Sequence, residues 1–197
     1  MGTTTPSTLP GYIAATWDVD PLHTEVSFSI RHSMIAKLRG RFTNFEGELV
    51  TGIDPLQSSV TASIDLASVA TGNDNRDNRI RSAGFLDVAN NPVMSWRSTS
   101  VREAGDQYIV DGELSLHGVT RNVPLTIDVH DFVESSVGTR VRFSASGELS
   151  RAAFGIEFKL PLEALVMGDK VTVNLEVEAI LQTALAEQPK GPRRHPA

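Results

Sequence analysis

Apolar and polar residues alternate along most of the chain, the pattern of strands with one face buried and one in water. From Glu25 to His32, Val26, Phe28 and Ile30 share one face, and Ser27, Ser29 and Arg31 the other. Leu38, Gly40 and Phe42 then oppose Arg39 and Arg41, and Phe45 to Thr51 continues after a change of phase that predicts a bulge or sharp bend near residues 44–47. Val60 to Val69 reads as one strand, with Val60, Ala62, Ile64 and Leu66 on one side. Met94, Trp96 and Ser98 share a face. Tyr108, Val110, Gly112, Leu114 and Leu116 form the longest clean alternation, and Val123 to Val129, Val141 to Leu149 and Val171 to Leu181 repeat it. Pro21, Pro55, Asn90-Asn91-Pro92, Ala104-Gly105-Asp106 and His117-Gly118 punctuate these runs. The result is about eight or nine mostly antiparallel strands at hairpin spacing.

One stretch breaks the rhythm. Thr71 to Asp87 (TGNDNRDNRIRSAGFLD) is polar and rich in Asn, Asp and Arg, and ends on an apolar pair. It predicts a short helix near residues 74–83, capped by Asp74 accepting from the Asp77 N–H, stopped at a left-handed Gly84, and pinned to the core by Phe85 and Leu86. A sheet with this much apolar surface on one face must meet a second sheet or close on itself, and closure removes the edges that invite aggregation. The inward positions mix large residues (Phe28, Phe42, Trp96, Phe143, Phe154) with small ones (Gly40, Ala62, Gly112, Ala145, Gly147). Such a mixture either interdigitates or leaves space, and the pattern alone does not choose.

Composition narrows the function. The 197 residues suit one β domain, expected over residues 15–182, with a flexible lead at 1–14 and a flexible tail at 183–197. A net charge of −6 argues against nucleic acid as a partner and against broad adhesion to anionic membranes. No run approaches the ~18 apolar residues of a membrane span, so stable membrane insertion is not expected. The absence of cysteine excludes disulfides and thiolate metal sites and fits a reducing compartment. The N-terminus has no basic region followed by an apolar run, which points to a cytoplasmic protein.

Candidate chemistry is sparse. The histidines, His23, His32, His117, His130 and His195, are not spaced as metal ligands, and no hydrolase elbow or phosphate loop is present, so no catalytic set, metal or cofactor is expected. His32 and His117 fall at strand ends, where an imidazole usually caps a backbone group. Basic residues cluster at Arg31, Lys37, Arg39 and Arg41 and again at Arg76, Arg79 and Arg81; they suit either an anionic head group or a solvated face balanced by nearby acids.

Several segments, in order, resemble the YceI-like family, the polyisoprenoid-binding, lipocalin-like proteins. They are Trp17–His32 (WDVDPLHTEVSFSIRH), Gly40–Gly47 (GRFTNFEG), Asp65–Gly72 (DLASVATG), the helix residues Arg76-Asp77 and Arg81-Ser82, and Phe85–Val88 (FLDV). Asn91–Ser98 (NPVMSWRS), Gly112–Thr120 (GELSLHGVT), Arg151–Gly155 (RAAFG) and Gly168–Val173 (GDKVTV) complete the set. Arg79 and Trp96 depart from the His and Phe usual in the family.

The resemblance implies an all-β, eight-stranded antiparallel lipocalin-like barrel that holds, without catalysis, a long-tailed amphiphile such as a polyisoprenoid, an isoprenoid quinone or a fatty-acid-like lipid, as carrier or store. It also admits a homodimer. On this reading Val26, Phe28, Ile30, Phe42, Ile64 and Trp96 line a tunnel. So do Leu114, Leu116, Phe143 and Val173, with Phe85 and Phe154 beside them. His32, Arg76, Asp77, Arg79, His117 and Arg151 form the polar group at its mouth. Two other classes stay open: an enzyme acting on a small hydrophobic substrate with His32 or His117 as general base, and a structural or stress-response protein with a filled core.

Overall fold

The structure, a computed structural model, describes residues 9–32, 36–135, 138–157 and 167–182. The described residues form β1 (Ala15–Val19), β2 (Glu25–His32), β3 (Ala36–Phe42), β4 (Phe45–Thr51), β5 (Ser59–Asp65) and β6 (Val69–Ala70), then the helix α1 (Asp74–Arg81). It continues as β7 (Val93–Ala104), β8 (Gln107–Leu116), β9 (Val119–Asn122), β10 (Leu125–Ser135), β11 (Gly138–Ser150) and β12 (Met167–Leu181). Every pairing is antiparallel, and the order β1-β4-β5-β7-β8-β10-β11-β12 returns to β1, closing a ring of eight strands.

The remaining strands are continuations. β12 pairs with β1 through Ala179–Leu181 and with β2 through Met167–Glu176, so β1 and β2 are one strand bent around Pro21. β9 pairs Asn122 with Glu113, and β10 pairs Leu125 with Val110 in the same register; Pro124, which has no N–H to give the ladder, separates them. The change of phase expected near residues 44–47 is the break at Thr43-Asn44, which lets both Phe42 and Phe45 face inward.

Two local expectations are corrected. Val60 to Val69 is not one strand: the Asp65 carboxylate accepts from Ala67 N (2.9 Å) and starts a single 3-10 turn, Leu66–Ser68. Residues three apart eclipse in such a turn, so Leu66 and Val69, at 0% and 1% exposure, both enter the core. The α1 cap is Asn73, whose side chain accepts from Arg76 N (3.0 Å); Asp74 sits in the first turn instead, with Arg79 and Arg81 in the last, as the helix dipole favours. Gly84 is not left-handed. The helix ends at an extended Ser82, and the positive φ falls at Asp87 (48°).

Of the lead expected at 1–14, residues 1–8 lie outside the described residues, and Leu9 and Tyr12 pack against one end of the barrel. The Tyr12 hydroxyl donates to Gly52 O (2.7 Å), and its ring meets Phe132 edge-on at 5.3 Å. Where β1 bends into β2, the Asp20 carboxylate accepts from Leu22 N (3.0 Å), bonds His23 Nδ1 (2.7 Å) and lies 3.5 Å from Arg140, which also pairs with Glu178.

The His23 hydrogen bond holds Asp20 below the usual carboxylate range despite burial. The Arg142 guanidinium does the same for Asp131, and hydrogen bonds from Ser150 and Ala152 N for Asp169. A depressed folded-state value means stability present above the unfolded value, about pH 4, and lost as pH falls through the folded one. Urea midpoints are therefore expected to hold from pH 7 to about 5 and to fall below about pH 4. Asp20→Asn should flatten part of that slope; an unchanged slope would remove Asp20 from the account.

Candidate functional site

The barrel axis is lined by the inward face of every long strand, and it is partly empty. A central chamber of about 140 Å³ opens between Val26, Ala62, Trp96, Leu114, Phe143 and Ala145. It shares Phe28, Phe42, Met94, Leu149 and Val173 with a chamber of about 130 Å³ at the α1 end. At the other end it shares Val60, Ile127 and Phe143 with one of about 70 Å³ beneath Tyr12. The three follow one another along the axis. β12, at 15 residues and about 3.3 Å each, tilted by about 40°, makes the barrel roughly 35–40 Å tall.

Whether a small inward residue leaves space depends on what faces it. A Cβ on Gly112 would lie 2.2 Å from the Trp96 ring, one on Gly40 2.4 Å from Phe28, and one on Gly147 2.7 Å from Leu125, so these glycines are filled by large neighbours. Ala62 and Ala145 instead open onto the central chamber. Val26, Phe28, Phe42, Val173 and Leu175 face inward yet are only half-buried, because the space beside them admits a water-sized sphere. Gly112→Ala is expected to cost about 1–3 kcal/mol in chemical denaturation by pushing the indole off its bond to Val123 O (3.0 Å); a neutral result would mean that ring is loosely held.

The walls are almost wholly apolar. Glu46, at the margin of the central chamber, is exposed, and Arg151 lines the α1-end chamber. The Arg151 guanidinium donates to Gly168 O (3.1 Å) and Ile156 O (2.7 Å), tying the chain after β11 to the start of β12. At the opposite end, Tyr108 lines the chamber beneath Tyr12, and burial pushes its phenol up.

The central chamber gathers Val26, Phe28, Phe42, Ile64, Trp96, Leu114, Phe143 and Val173 from the candidates. Ile30, Phe85, Leu116 and Arg151 line the α1 end. Phe154 is packed solid at 1% exposure. His32 ends β2, and its side chain lies outside the described residues.

The remaining polar candidates lie outside the chamber linings. Buried Asp77 accepts from Thr71 N (3.0 Å) and the Thr71 hydroxyl, while Arg76 donates to Thr71 Oγ1 (2.7 Å) and O (2.8 Å), so this pair staples α1 to the end of β6. Arg81 donates to Ala67 O and Val69 O, both at 2.8 Å. Arg79 stacks over Phe85 at 5.8 Å. His117, left-handed at φ 54°, shares a two-residue hairpin turn with Gly118, and its Nδ1 donates to Phe154 O (3.0 Å).

Sequence reasoning missed the chamber under Tyr12, where Val60, Val101, Tyr108, Ile127 and Val129 converge. Alternation marked Val60, Tyr108, Ile127 and Val129 as inward; nothing marked Tyr12, whose role depends on a contact with distant Phe132. Away from the axis, Asp20, His23 and Glu178 bring potential ligand atoms within 4.8 Å of one another, but Arg140 already bridges the two carboxylates as their counter-cation. No described helix is long and apolar enough to cross a membrane.

Fold and interior together define a lipocalin-like antiparallel barrel with an apolar axial cavity. The chain belongs to the YceI-like family: the YceI-like domain matches residues 17–179. A UPF0312 protein of Serratia proteamaculans is 35% identical over 150 residues, covering 73% of this chain and 77% of that protein. The crystal structure of Burkholderia cenocepacia BcnA superposes with a TM-score of 0.73 at 21% identity, covering 81% of this chain and 98% of that one. A polyisoprenoid binding domain from Saccharophagus degradans, implicated in plant cell wall breakdown, gives a TM-score of 0.66 at 19% identity, over 86% and 100%.

Proposed function

We propose that this protein binds one long-tailed amphiphile, of the polyisoprenoid or isoprenoid-quinone kind, along its axis and does so without catalysis, as a carrier or store. The observation that carries the reading is the run of three apolar chambers with shared walls, long and narrow as a prenyl or alkyl chain is. The polyisoprenoid-binding description of the Saccharophagus degradans domain supports the same class of ligand.

Each buried methylene contributes about 0.8 kcal/mol, and micromolar binding needs about 8 kcal/mol. Ordering the tail takes back part of the gain, so short chains bind poorly and affinity climbs with length until the axis is full. Native mass spectrometry of the purified protein, then titration with C8 to C40 prenyl probes, tests this. A carried lipid and a length-dependent affinity are expected; equal binding of all lengths, or none, would overturn it.

His117 lies outside the chamber linings with its Nδ1 committed to a carbonyl, so His117→Ala should leave tail affinity within about twofold of the parent. Loss of a turnover in that variant would favour the enzyme reading instead.

A further inference from the structure

Lys37, Arg39 and Arg41 stand at alternate positions on the outer face of β3, all exposed, about 6.7 Å apart along the strand. Among the described residues none of the three has a carboxylate or carbonyl partner. Among the described residues Arg97, Arg102, Arg140, Arg142 and Lys170 each meet a carboxylate. Arg76, Arg81, Arg121 and Arg151 donate to backbone carbonyls. Across the β2–β3 ladder the facing residues are Arg31 opposite Lys37, Ser29 opposite Arg39 and Ser27 opposite Arg41, and on β12 beyond them Thr172 and Asn174. No acid stands directly opposite Lys37, Arg39 or Arg41 on β2; Glu25 and its β12 partner Glu176 share that face just past the Arg41 end.

The ridge has a particular place in the fold. Leu38 and Phe42, alternating with the basic residues, line the α1-end chamber. β3 meets β6 only through Arg41 and Phe42, so residues 36–40 leave the ladder on that side, where Ile80 and Phe85 complete the chamber wall. A basic strip in an otherwise acidic chain thus marks the flank of the barrel where its apolar interior is covered by a helix and not by a strand.

We propose that the β3 ridge of Lys37, Arg39 and Arg41 docks the barrel on an anionic phospholipid bilayer and sets the α1-end chamber against that surface. The proposal rests on the channel reading for its purpose and on the ridge alone for its chemistry. The chain's net charge of −6 repels the rest of the surface, so attraction confined to one strand also fixes orientation. A nucleic acid is the poorer partner, because so few phosphate contacts give little counterion release.

Near an anionic membrane each basic residue is worth about fivefold in binding, so losing three weakens it roughly a hundredfold. Co-sedimentation with phosphatidylcholine vesicles, with and without phosphatidylglycerol, measures this. The parent should bind only the anionic vesicles and release them at about 1 M salt, where screening reaches about 3 Å. The triple Gln variant, which removes the three charges, should bind about a hundredfold more weakly, and Lys37→Glu/Arg39→Glu/Arg41→Glu, which reverses them, should lose still more. Both should still carry a prenyl probe in native mass spectra, which also reports that they fold.

A parent that ignores anionic vesicles, or a triple Glu variant that binds them as well as the parent, overturns the proposal; so does an oligonucleotide that binds more tightly and displaces the vesicles. A parent that binds vesicles through the ridge but carries no prenyl probe supports the docking surface and removes the channel reading alone.

Discussion

Trp17→Ala is expected to cost about 4–5 kcal/mol of folding stability, near the top of the range for truncating a buried aromatic. Trp17 is wholly buried on β1, the strand that closes the ring: it pairs with Leu49 of β4 on one side and Leu181 of β12 on the other. Its ring lies 5.7 Å from Phe132, and its Nε1 donates to Thr51 Oγ1 at 2.9 Å. That hydroxyl also accepts from Ala15 N (3.0 Å) and donates to Ile13 O (2.7 Å), so it joins the start of β1 to the end of β4. Removal of the indole leaves a cavity at the seam and takes a partner from this junction. Domains of this kind have about 5–15 kcal/mol in all, so the variant should unfold at a much lower urea concentration with a similar m-value. Trp17→Phe keeps most of the packing and should cost less than half as much. A loss under about 2 kcal/mol for the alanine variant would mean that the seam is held elsewhere.

Ala145→Trp is expected to abolish tail binding, a loss of more than a hundredfold, while changing stability by no more than about 1–2 kcal/mol. Ala145 lies on β11 between Ile127 and Leu175 and opens onto the central chamber. An indole there occupies most of the 140 Å³ through which a tail must pass to join the two ends. Filling an apolar void also restores contacts that its walls lack, which offsets the strain of a larger side chain. Binding and stability thus move apart, which general unfolding would not produce. Native mass spectra beside urea curves read both; a stable variant that still carries a full-length prenyl chain would exclude the axial route.

The faces of the strands were legible because a period of two needs only neighbouring residues. Val26, Phe28 and Ile30 announce an inward side, and each lines a chamber. The helix was legible in position and nearly in length, since polar, turn-rich residues interrupt the alternation. Its chemistry was not. Arg76 and Arg81 suit either an anionic head group or a solvated face in the sequence, but both spend donors on backbone carbonyls within the same corner of the fold. Asp74 looked like the cap, and Asn73, one residue earlier, is the residue whose backbone is extended as a cap requires. Lys37, Arg39 and Arg41 could not be told from Arg97 or Arg142 in the sequence, because an ion pair across a ladder depends on register.

By itself the sequence determined an all-β chain with a defined inward face and an inserted helix. These are local properties of composition and periodicity. Tertiary structure decided that the eight strands close on one another and that the axis stays open. Gly112 and Ala145 look alike in a list of small inward residues, yet Trp96 fills the space beside one and a chamber remains beside the other. Empty volume depends on which side chains meet across the ring, and that is set by pairing between residues far apart in the chain.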